Sequence, residues 1–265
     1  MNHTLIITTY NWPESLFLVL ESIKLQSILP DEIIIADDGS DQHTKDFIEE
    51  YIKKSNLNIL HSWQKDRGFR AARSRNKAIG KSKGEYIILI DGDTILHPDF
   101  IRDHLQMREQ GCFIQGTRVL LSKALTKKTL ENELLNFPFY SVNIKNRKNA
   151  VHSNILAKVF SHKQNHLNGI KSCNMSFYKN DCLKINGFNN NFEGWGREDS
   201  EFVARMIFSG LKRKNVRFNA IQFHLWHNEN DRISIKKNDL ILSNTIKNCI
   251  KRCENGIDSI DFDED

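Results

Sequence analysis

The stretch EYIILIDGD, residues 85–93, sets five consecutive apolar or aromatic residues ahead of two aspartates that flank a glycine. Such a short run, rich in β-branched residues, predicts a buried strand with the aspartates at its carboxyl end. The stretches HTLIITT, residues 3–9, and EIIIADD, residues 32–38, have the same character, and another strand is predicted over residues 57–61. Helices are predicted between these strands, starting at Pro13, after Ser40 or Asp41, near Phe69 and at Pro98. This alternation predicts an α/β fold on a parallel sheet, in which ligands bind beyond the carboxyl ends of the strands.

The length and composition are those of a folded protein with one large domain, or with one domain plus an excursion. The chain has 265 residues, and its 39% hydrophobic and 27% charged residues exclude a disordered chain. The formal net charge of +5 is a mild excess that suits an anionic ligand or a lipid surface. Nucleic-acid binders concentrate their charge more strongly in one stripe, so we expect no nucleic-acid partner.

The start of the chain and its cysteines predict a cytoplasmic protein. Residues 1–9 lack the basic region and the small-residue cleavage site of a signal peptide. The longest apolar run is far shorter than the about 20 residues that a membrane-spanning helix needs. The five cysteines are an odd number and form no C-x-x-C pair, which indicates reduced thiols.

Residues 118–171 form a basic segment, with ten lysines and arginines against two glutamates and an apolar patch over residues 134–140. The segment is either a solvated insertion or a surface that faces an anionic lipid-linked acceptor or the inner leaflet. Residues 233–250 interleave apolar and basic residues and predict an amphipathic helix, docked on the body or lying on a membrane. Residues 258–265 predict a frayed acidic tail.

Two pairs of aspartates follow predicted strands. Asp91 and Asp93 can hold a divalent cation against a diphosphate, although Asp-Gly is also a common turn. Asp37 and Asp38 leave the same choice open, between a turn and carboxylates aimed at a nucleoside.

The stretch DRGFRAARSRN, residues 66–76, places four arginines within nine residues at the start of a predicted helix. Arginine pairs with phosphate oxygens and a helix N-terminus favours anions, so this is a candidate diphosphate site; the alternative is an exposed basic helix face. The first strand is not followed by G-x-G-x-x-G, and no G-x-x-x-x-G-K-[ST] occurs. A dinucleotide fold and a P-loop are therefore disfavoured.

Two later motifs carry further candidate chemistry. In NFEGWGREDSEF, residues 191–202, the glycines allow a tight turn that leaves the Trp195 ring open to a sugar. Glu198 and Asp199 then begin a predicted helix, as ordinary first-turn acids or with one of them as a general base. In HLWH, residues 224–227, histidines three apart can chelate one metal or can be plain surface or core residues.

Taken together, the motifs resemble those of family 2 glycosyltransferases of the GT-A fold. The resemblance rests on TTYN at 8–11, DDGS at 37–40, GFRAARSRN at 68–76 and DGD at 91–93. The later GWGRED, residues 194–199, is similar to the carboxy-terminal galactosyltransferase region of β-1,4-galactosyltransferases and bacterial chondroitin-polymerase-like enzymes. This implies a Rossmann-like mixed or parallel central sheet flanked by helices. It also implies three parts, namely a nucleotide-sugar-binding half at 1–118, an acceptor-binding and catalytic half of the same domain at 119–232, and a C-terminal helix and acidic tail at 233–265.

The resemblance also implies residue roles. Asp199 matches the catalytic base, and Glu198 matches a residue that binds sugar hydroxyls. The implied metal ligands are Asp93, His224 and His227, although the galactosyltransferases often have methionine at the position of His224. The implied nucleotide-sugar-binding residues are Thr9, Tyr10, Asn11, Asp37, Asp38, Arg67, Arg70, Arg73, Asn76, Asp91, Gly92, Asp93 and Trp195. The implied acceptor or sugar loop comprises Asn174, Met175, Gly194 and Gly196.

The implied reaction is a single inverting displacement, in which a hydroxyl of a glycan or lipid-linked acceptor attacks the anomeric carbon of a UDP-sugar. The implied cofactor is a divalent metal, with Mn²⁺ favoured over Mg²⁺ because imidazole favours first-row transition ions. Bacterial surface polysaccharide or lipopolysaccharide synthesis is the implied setting, in the cytoplasm with a peripheral contact at the inner membrane. A nucleotidyltransferase is disfavoured because no lysine-rich phosphate loop lies near the first strand. A non-catalytic carbohydrate- or lipid-binding module would not need Asp93, Asp199 and His227 together.

Overall fold

The structure is a computed structural model that describes residues 1–228 and 231–262. The strands are β1 His3–Thr9, β2 Glu32–Asp37, β3 Ile59–Trp63, β4 Tyr86–Asp91, β5 Thr94–Leu96, β6 Cys112–Gln115, β7 Arg118–Leu121, β8 Ile144–Lys145, β9 His162–Gln164, β10 Asn174–Tyr178, β11 Lys212–Asn215 and β12 Gln222–His224. The helices are α1 Pro13–Lys24, α2 Gln42–Lys54, α3 Ala71–Lys81, α4 Phe100–Met107, α5 Lys123–Asn132, α6 Asn154–Phe160, α7 Lys179–Lys184, α8 Glu198–Phe208 and α9 Ile235–Lys247. Short 3₁₀ turns occur at Arg147–Ala150 and Ile257–Ser259.

A large mixed sheet organises the fold, in the strand order β3-β2-β1-β4-β10-β6-β11-β9. The first four strands are parallel, whereas β10 runs antiparallel to both β4 and β6. A smaller sheet has the order β5-β12-β7-β8. The predicted α/β fold with a mixed central sheet and flanking helices is thus confirmed; the run of four parallel strands ends at β4, and β6 and β11 form a further parallel pair.

The core lies on both faces of the large sheet because the parallel strands β1, β2 and β4 carry apolar residues on both faces. Along β1, Ile6 belongs to one buried cluster, while Leu5 and Ile7 belong to the cluster on the opposite face. All three side chains are fully buried, as expected for strands covered by helices on both sides. A third cluster packs under the smaller sheet around Val119 and Phe223.

Helix α3 begins two residues later than the sequence predicts, because loop hydrogen bonds hold the two preceding residues. The backbone N–H of Arg70 donates to Oδ2 of Asp38 at 2.7 Å, and the carbonyl of Phe69 accepts from the N–H of Gly194 at 2.9 Å. These bonds connect the arginine-rich stretch to the second strand and to the Gly-Trp-Gly turn.

The C-terminal helix α9 packs on the body through polar groups. The amide of Asn238 donates to the carbonyls of Glu193 and Gly196, and the hydroxyl of Thr245 donates to Glu201. Leu240 on the same helix is 73% exposed.

The acidic tail is only partly as predicted. Ile260 is buried and Phe262 packs against Gly80, so 258–262 follows the body rather than fraying. Residues 263–265 lie outside the described part of the chain. No helix in the described residues is long and apolar enough to span a membrane.

Candidate active site

A cleft of about 870 Å³ opens at the carboxyl ends of β1 and β4, beside the start of α8. Most of the residues implied by the motifs line it, and so does the unassigned Arg75. The lining residues from these motifs are Thr8, Thr9, Tyr10, Asn11, Asp38, Arg75, Asp91, Gly92, Asp93, Trp195, Gly196, Glu198, Asp199, His224 and His227. Stretches far apart in sequence therefore meet at the strand ends where ligands of α/β sheets bind.

Asp93, His224 and His227 form one cluster, with candidate ligand atoms that all lie within 4.8 Å of one another. Strand pairing creates it, because β12 pairs with β5 and Leu225 donates its N–H to the carbonyl of Asp93. Oδ2 of Asp93 lies 3.1 Å from Nε2 of His227 and 3.4 Å from Nε2 of His224. Oδ1 of Asp93 is buried and has no hydrogen-bond partner in the described residues.

The tautomer of His227 suits a cation at this cluster. Its Nδ1 lies 2.7 Å from the carbonyl oxygen of Asn228, which can only accept, so Nδ1 carries the hydrogen. In the neutral ring, Nε2 then presents a lone pair to the Asp93 carboxylate, and only a proton or a cation between them removes the repulsion. Accordingly, the hydrogen bond with Asp93 raises the pKa of His227 to about 8. Burial raises the pKa of Asp93, but the nearby His224 and His227 outweigh burial and hold it below its usual range.

Arg75 is the residue that the sequence reasoning left unassigned. It is 95% buried on α3, and its guanidinium faces three carboxylates at 3.3–3.5 Å. The three carboxylates belong to Asp91, Glu198 and Asp199. Its Nε also donates to Oγ1 of Thr8 at 3.1 Å, which fixes the guanidinium against β1. Arg75 thus provides a shared positive charge for the acidic residues at the base of the cleft.

Asp199 lines the cleft with a partly exposed side chain. Its Oδ2 accepts the backbone N–H of Ser172 at 2.9 Å, while Oδ1 lies 3.5 Å from Nη1 of Arg75 and has no hydrogen-bond partner in the described chain. Burial, followed by the charge of Asp199, raises the pKa of Glu198. The Asp199 carboxylate is thus held in place by the backbone of Ser172, whereas the raised pKa of Glu198 favours its protonated form.

The Gly-Trp-Gly turn depends on its glycines. Gly194 has a φ of +71°, and a Cβ there would lie 2.2 Å from Oγ of Ser234. Gly196 has a φ of +104°, and Arg197, at +78°, also adopts the left-handed conformation just before α8. The Trp195 side chain is 38% exposed at the cleft, and the Arg232 guanidinium lies 5.6 Å from its ring centre, so part of the ring is open to a ligand.

The two adjacent aspartates after β2 have different surroundings. Asp37 is fully buried, and its oxygens accept the N–H groups of Gly39 and Ser40 and contact His61 at 2.9 Å. Asp38 instead lines the cleft, and burial raises its pKa to about 6. The structure thus assigns Asp37 to the turn and Asp38 to the cleft, a choice that the sequence left open.

Not every motif residue faces the cleft. Arg67 is exposed, Arg70 donates to the carbonyl of Lys65, and Arg73 donates to Gln64. Asn76 is fully buried, and its amide bonds the backbone of Phe188 and the Asn190 side chain.

The predicted substrate-loop pair at the start of β10 is likewise internal. Met175 is fully buried in the core. The Asn174 amide is occupied by the carbonyls of Thr117 and Ala220 and by Nε2 of His104. The buried side chains of Asn76, Asn174 and Met175 therefore stabilise the elements around the cleft and do not line it.

Comparisons with known proteins agree with this arrangement. Residues 4–173 match glycosyl transferase family 2, and residues 155–228 match the N-terminal domain of galactosyltransferase. The chain is 25% identical over 241 residues to chondroitin synthase of Escherichia coli, covering 83% of this chain and 34% of that protein. It thus spans about a third of the length of that relative.

Solved structures share the fold. TarS residues 1–349 of S. aureus, in complex with UDP, superpose with a TM-score of 0.64 at 15% identity, covering 94% of this chain and 66% of that one. The mannosyltransferase PcManGT of Pyrobaculum calidifontis, in complex with GDP-Man and Mn²⁺, superposes with a TM-score of 0.60 at 14% identity, covering 86% and 58%. With a family match over most of its length and this mixed sheet, the chain belongs to glycosyl transferase family 2 and has the GT-A fold.

Proposed function

We propose that the protein is an inverting, metal-dependent hexosyltransferase that moves a sugar from a UDP-sugar to a hydroxyl of a glycan or glycolipid. One observation carries the proposal. The cleft contains both the partly exposed side chain of Asp199 and the candidate cation site at Asp93. The guanidinium of Arg75 faces the carboxylates of Asp199 and Asp91. A transferase needs both features, a base for the acceptor and positive charge for the departing diphosphate.

The nucleoside would lie over the ends of β1 and β2. Thr9, Tyr10 and Asn11 line the cleft there, next to the carboxylate of Asp38. The UDP in the TarS complex supports a nucleoside diphosphate ligand for this fold.

The residues present fit a divalent cation. Asp93 offers a buried oxygen without a partner, and His227 presents a lone pair towards the same carboxylate. When bound, such an ion would neutralise charge on the leaving diphosphate. Two imidazoles beside one carboxylate favour Mn²⁺ over Mg²⁺, and the PcManGT complex contains Mn²⁺.

The chemical step would be performed by residues at the start of α8. The carboxylate of Asp199 takes the proton of the acceptor hydroxyl while the hydroxyl oxygen attacks the anomeric carbon and the bond to the diphosphate breaks. Glu198, with its raised pKa, donates a hydrogen bond to a sugar hydroxyl, and the Trp195 ring packs on the sugar face. A donor with an α-linked sugar then gives a β-linked product.

The acceptor would be part of a bacterial surface polysaccharide or lipopolysaccharide. The 25% identical relative is named chondroitin synthase, which supports a polysaccharide product. In the basic segment, Ile155, Val159 and Phe160 of α6 are 77%, 69% and 51% exposed, beside Lys158. This surface supports peripheral contact with the anionic inner leaflet from the cytoplasm.

The proposal is tested by UDP release from a panel of UDP-sugars, with and without Mn²⁺ and cell-envelope glycolipid. We expect release that depends on metal and on one donor, faster when glycolipid is present. Absence of release from every donor in the presence of metal and acceptor would refute the proposal.

A further inference from the structure

A second cavity, of about 360 Å³, adjoins the cleft. Five residues line both spaces, among them Arg118, Lys171 and Cys173. Ser172, which lies between Lys171 and Cys173 in the chain, donates its backbone N–H to Asp199. The cavity therefore begins beside the proposed base. Its volume is within the usual range for small-molecule sites.

The lining of this side pocket is basic and contains no aspartate or glutamate; all of it lies in the described part of the chain. The basic residues are Arg118, Lys171, Arg213 and Arg217, together with His162. Neighbouring positive charges without an acid between them repel each other, and partial burial strengthens the repulsion. Consistently, burial and then Arg118 lower the pKa of Lys171.

The basic groups have unused hydrogen-bonding capacity. Within the described residues, the guanidinium of Arg118 and the ammonium of Lys171 form no hydrogen bond or ion pair. Arg213 is 95% buried, and its Nη1 donates to the carbonyls of His166 and Asn168. Its Nε is buried without a partner, which is costly unless a ligand accepts from it.

The remaining lining suits a sugar ring. Six amide side chains border the pocket, and those of Asn146 and Gln164 make no hydrogen bond to any described residue. The hydroxyl of Thr117 is also buried without a partner. Unused amides and a hydroxyl match the hydroxyl groups of a monosaccharide, while the cations require a negative group.

We propose that this side pocket, bordered by Arg118, Lys171 and Arg213, binds an anionic sugar residue of the acceptor, through a carboxylate or a phosphate ester. The inference rests on the proposed function only where it calls this sugar an acceptor. In this arrangement the anionic sugar unit of the acceptor lies next to Asp199. The hydroxyl that receives the new sugar then belongs to that acidic sugar or to the sugar beside it.

The test compares ligands that differ in one group, by ligand-observed NMR titration. Methyl β-glucuronide carries the carboxylate, methyl β-glucoside is its neutral match, and methyl β-glucoside 6-phosphate carries the phosphate. We expect the better anionic ligand to bind about tenfold more tightly than the glucoside, the usual scale of one charged hydrogen bond. The order of the two anionic ligands distinguishes carboxylate from phosphate.

Variants locate the binding. Lys171→Gln and Arg118→Gln are each expected to remove most of the preference for the anion, whereas Lys158→Gln, an exposed lysine outside the pocket, leaves it intact. Equal binding of charged and neutral ligands, or none at 50-fold molar excess, would overturn the proposal. So would displacement of the charged sugar by UDP, because the anion would then occupy the donor cleft.

The two proposals fail separately. If no UDP-sugar releases UDP while the pocket binds the anionic sugar, the proposed transferase activity is refuted and the anion site is supported. If UDP is released but the charged sugar binds no more tightly than the glucoside, only the anion site is refuted.

Discussion

Nη1 of Arg75 lies 3.5 Å from Oδ1 of Asp199, a buried carboxylate oxygen with no hydrogen-bond partner in the described residues. The other oxygen of Asp199 is held by the N–H of Ser172. The carboxylate is therefore fixed in orientation, and the Asp199 side chain, which is 22% exposed, borders the cleft.

Asp199→Asn is expected to lower turnover by about 10²-fold or more, the usual scale for loss of a general base. The amide keeps the size of the carboxylate, so nucleotide binding should remain near normal. Turnover and UDP affinity measured on the same preparation check this, with Asp181→Asn on α7, outside the cleft, as the control. Near-normal turnover would remove Asp199 from the role of base.

Arg75→Lys is expected to lower kcat by about tenfold or more, because an ammonium cannot face three carboxylates with the fixed geometry of a guanidinium. Arg75→Met should in addition cost about 3–5 kcal/mol of unfolding free energy, since it leaves buried acids without a counter-charge. Kinetics and denaturant unfolding are compared with Arg108→Lys, an exposed matched change. Unchanged kcat in a folded Arg75→Lys protein would show that the cluster is only structural.

How far the site was predictable depends on the residue. The apolar runs of β1, β2 and β4 defined the strands, and the strand ends located Asp38 and Asp93. The charge that the four arginines of residues 66–76 share does not distinguish Arg75, which is buried, from the other three. Its helical spacing with Ala72 and Ile79, both buried, was the available signal, because an arginine on an apolar helix face needs acidic partners.

The position of β10 was not predictable from local sequence. Its five residues, NMSFY, carry little strand signal, and only tertiary pairing inserts it between β4 and β6. The same insertion directs the Asn174 amide into the interior, to His104 and two carbonyls, rather than into a substrate loop. The pairing of β12 with β5 likewise places His224 beside Asp93.

Membrane contact is expected to depend on α6. Ile155→Ser with Val159→Ser should weaken binding to phosphatidylglycerol vesicles at low salt by about tenfold or more, since two exposed apolar side chains no longer insert. Vesicle co-sedimentation measures this, with Leu25→Ser, at an exposed leucine outside α6, as the control. Equal sedimentation of the double variant and the wild type would exclude α6 as the contact.

Below pH 6.5, His104 is expected to lower the free energy of unfolding, whereas Asp38 and Glu198, whose pKa values are raised, act in the opposite direction. The Asn174 amide donates elsewhere, so Nε2 of His104 donates to its oxygen and Nδ1 accepts from Ser176. Burial lowers the pKa of His104 to about 4. The unfolded chain therefore takes up this proton near pH 6.5 and the folded chain only near pH 4. The contribution of His104 to the free energy of unfolding is therefore complete above pH 6.5. It is lost as the pH falls from 6.5 to 4, by about 3 kcal/mol in total.

Unfolding free energies from pH 7 to pH 4 check this expectation. The free energy of unfolding of a His104→Leu protein should be lower than that of the wild type at pH 7, and the difference should shrink towards pH 4. His43→Gln, an exposed change, should follow the wild type. A difference that stays constant from pH 7 to pH 4 would exclude His104 as the source of this pH dependence.

The metal preference follows from the ligand types at the cluster. Mg²⁺ prefers hard oxygen ligands, whereas imidazole nitrogens favour softer first-row ions, and two of the three candidate ligands are imidazoles. We expect chelator-treated protein to regain more activity with Mn²⁺ than with Mg²⁺. His227→Ala removes one nitrogen ligand, so it should raise the Mn²⁺ concentration for half-maximal activity by about tenfold or more while the fold is kept. His166→Ala, an exposed histidine outside the cluster, should behave as the wild type. Full activity without any ion, or a Mg²⁺ preference that His227→Ala leaves unchanged, would exclude the histidines as ligands.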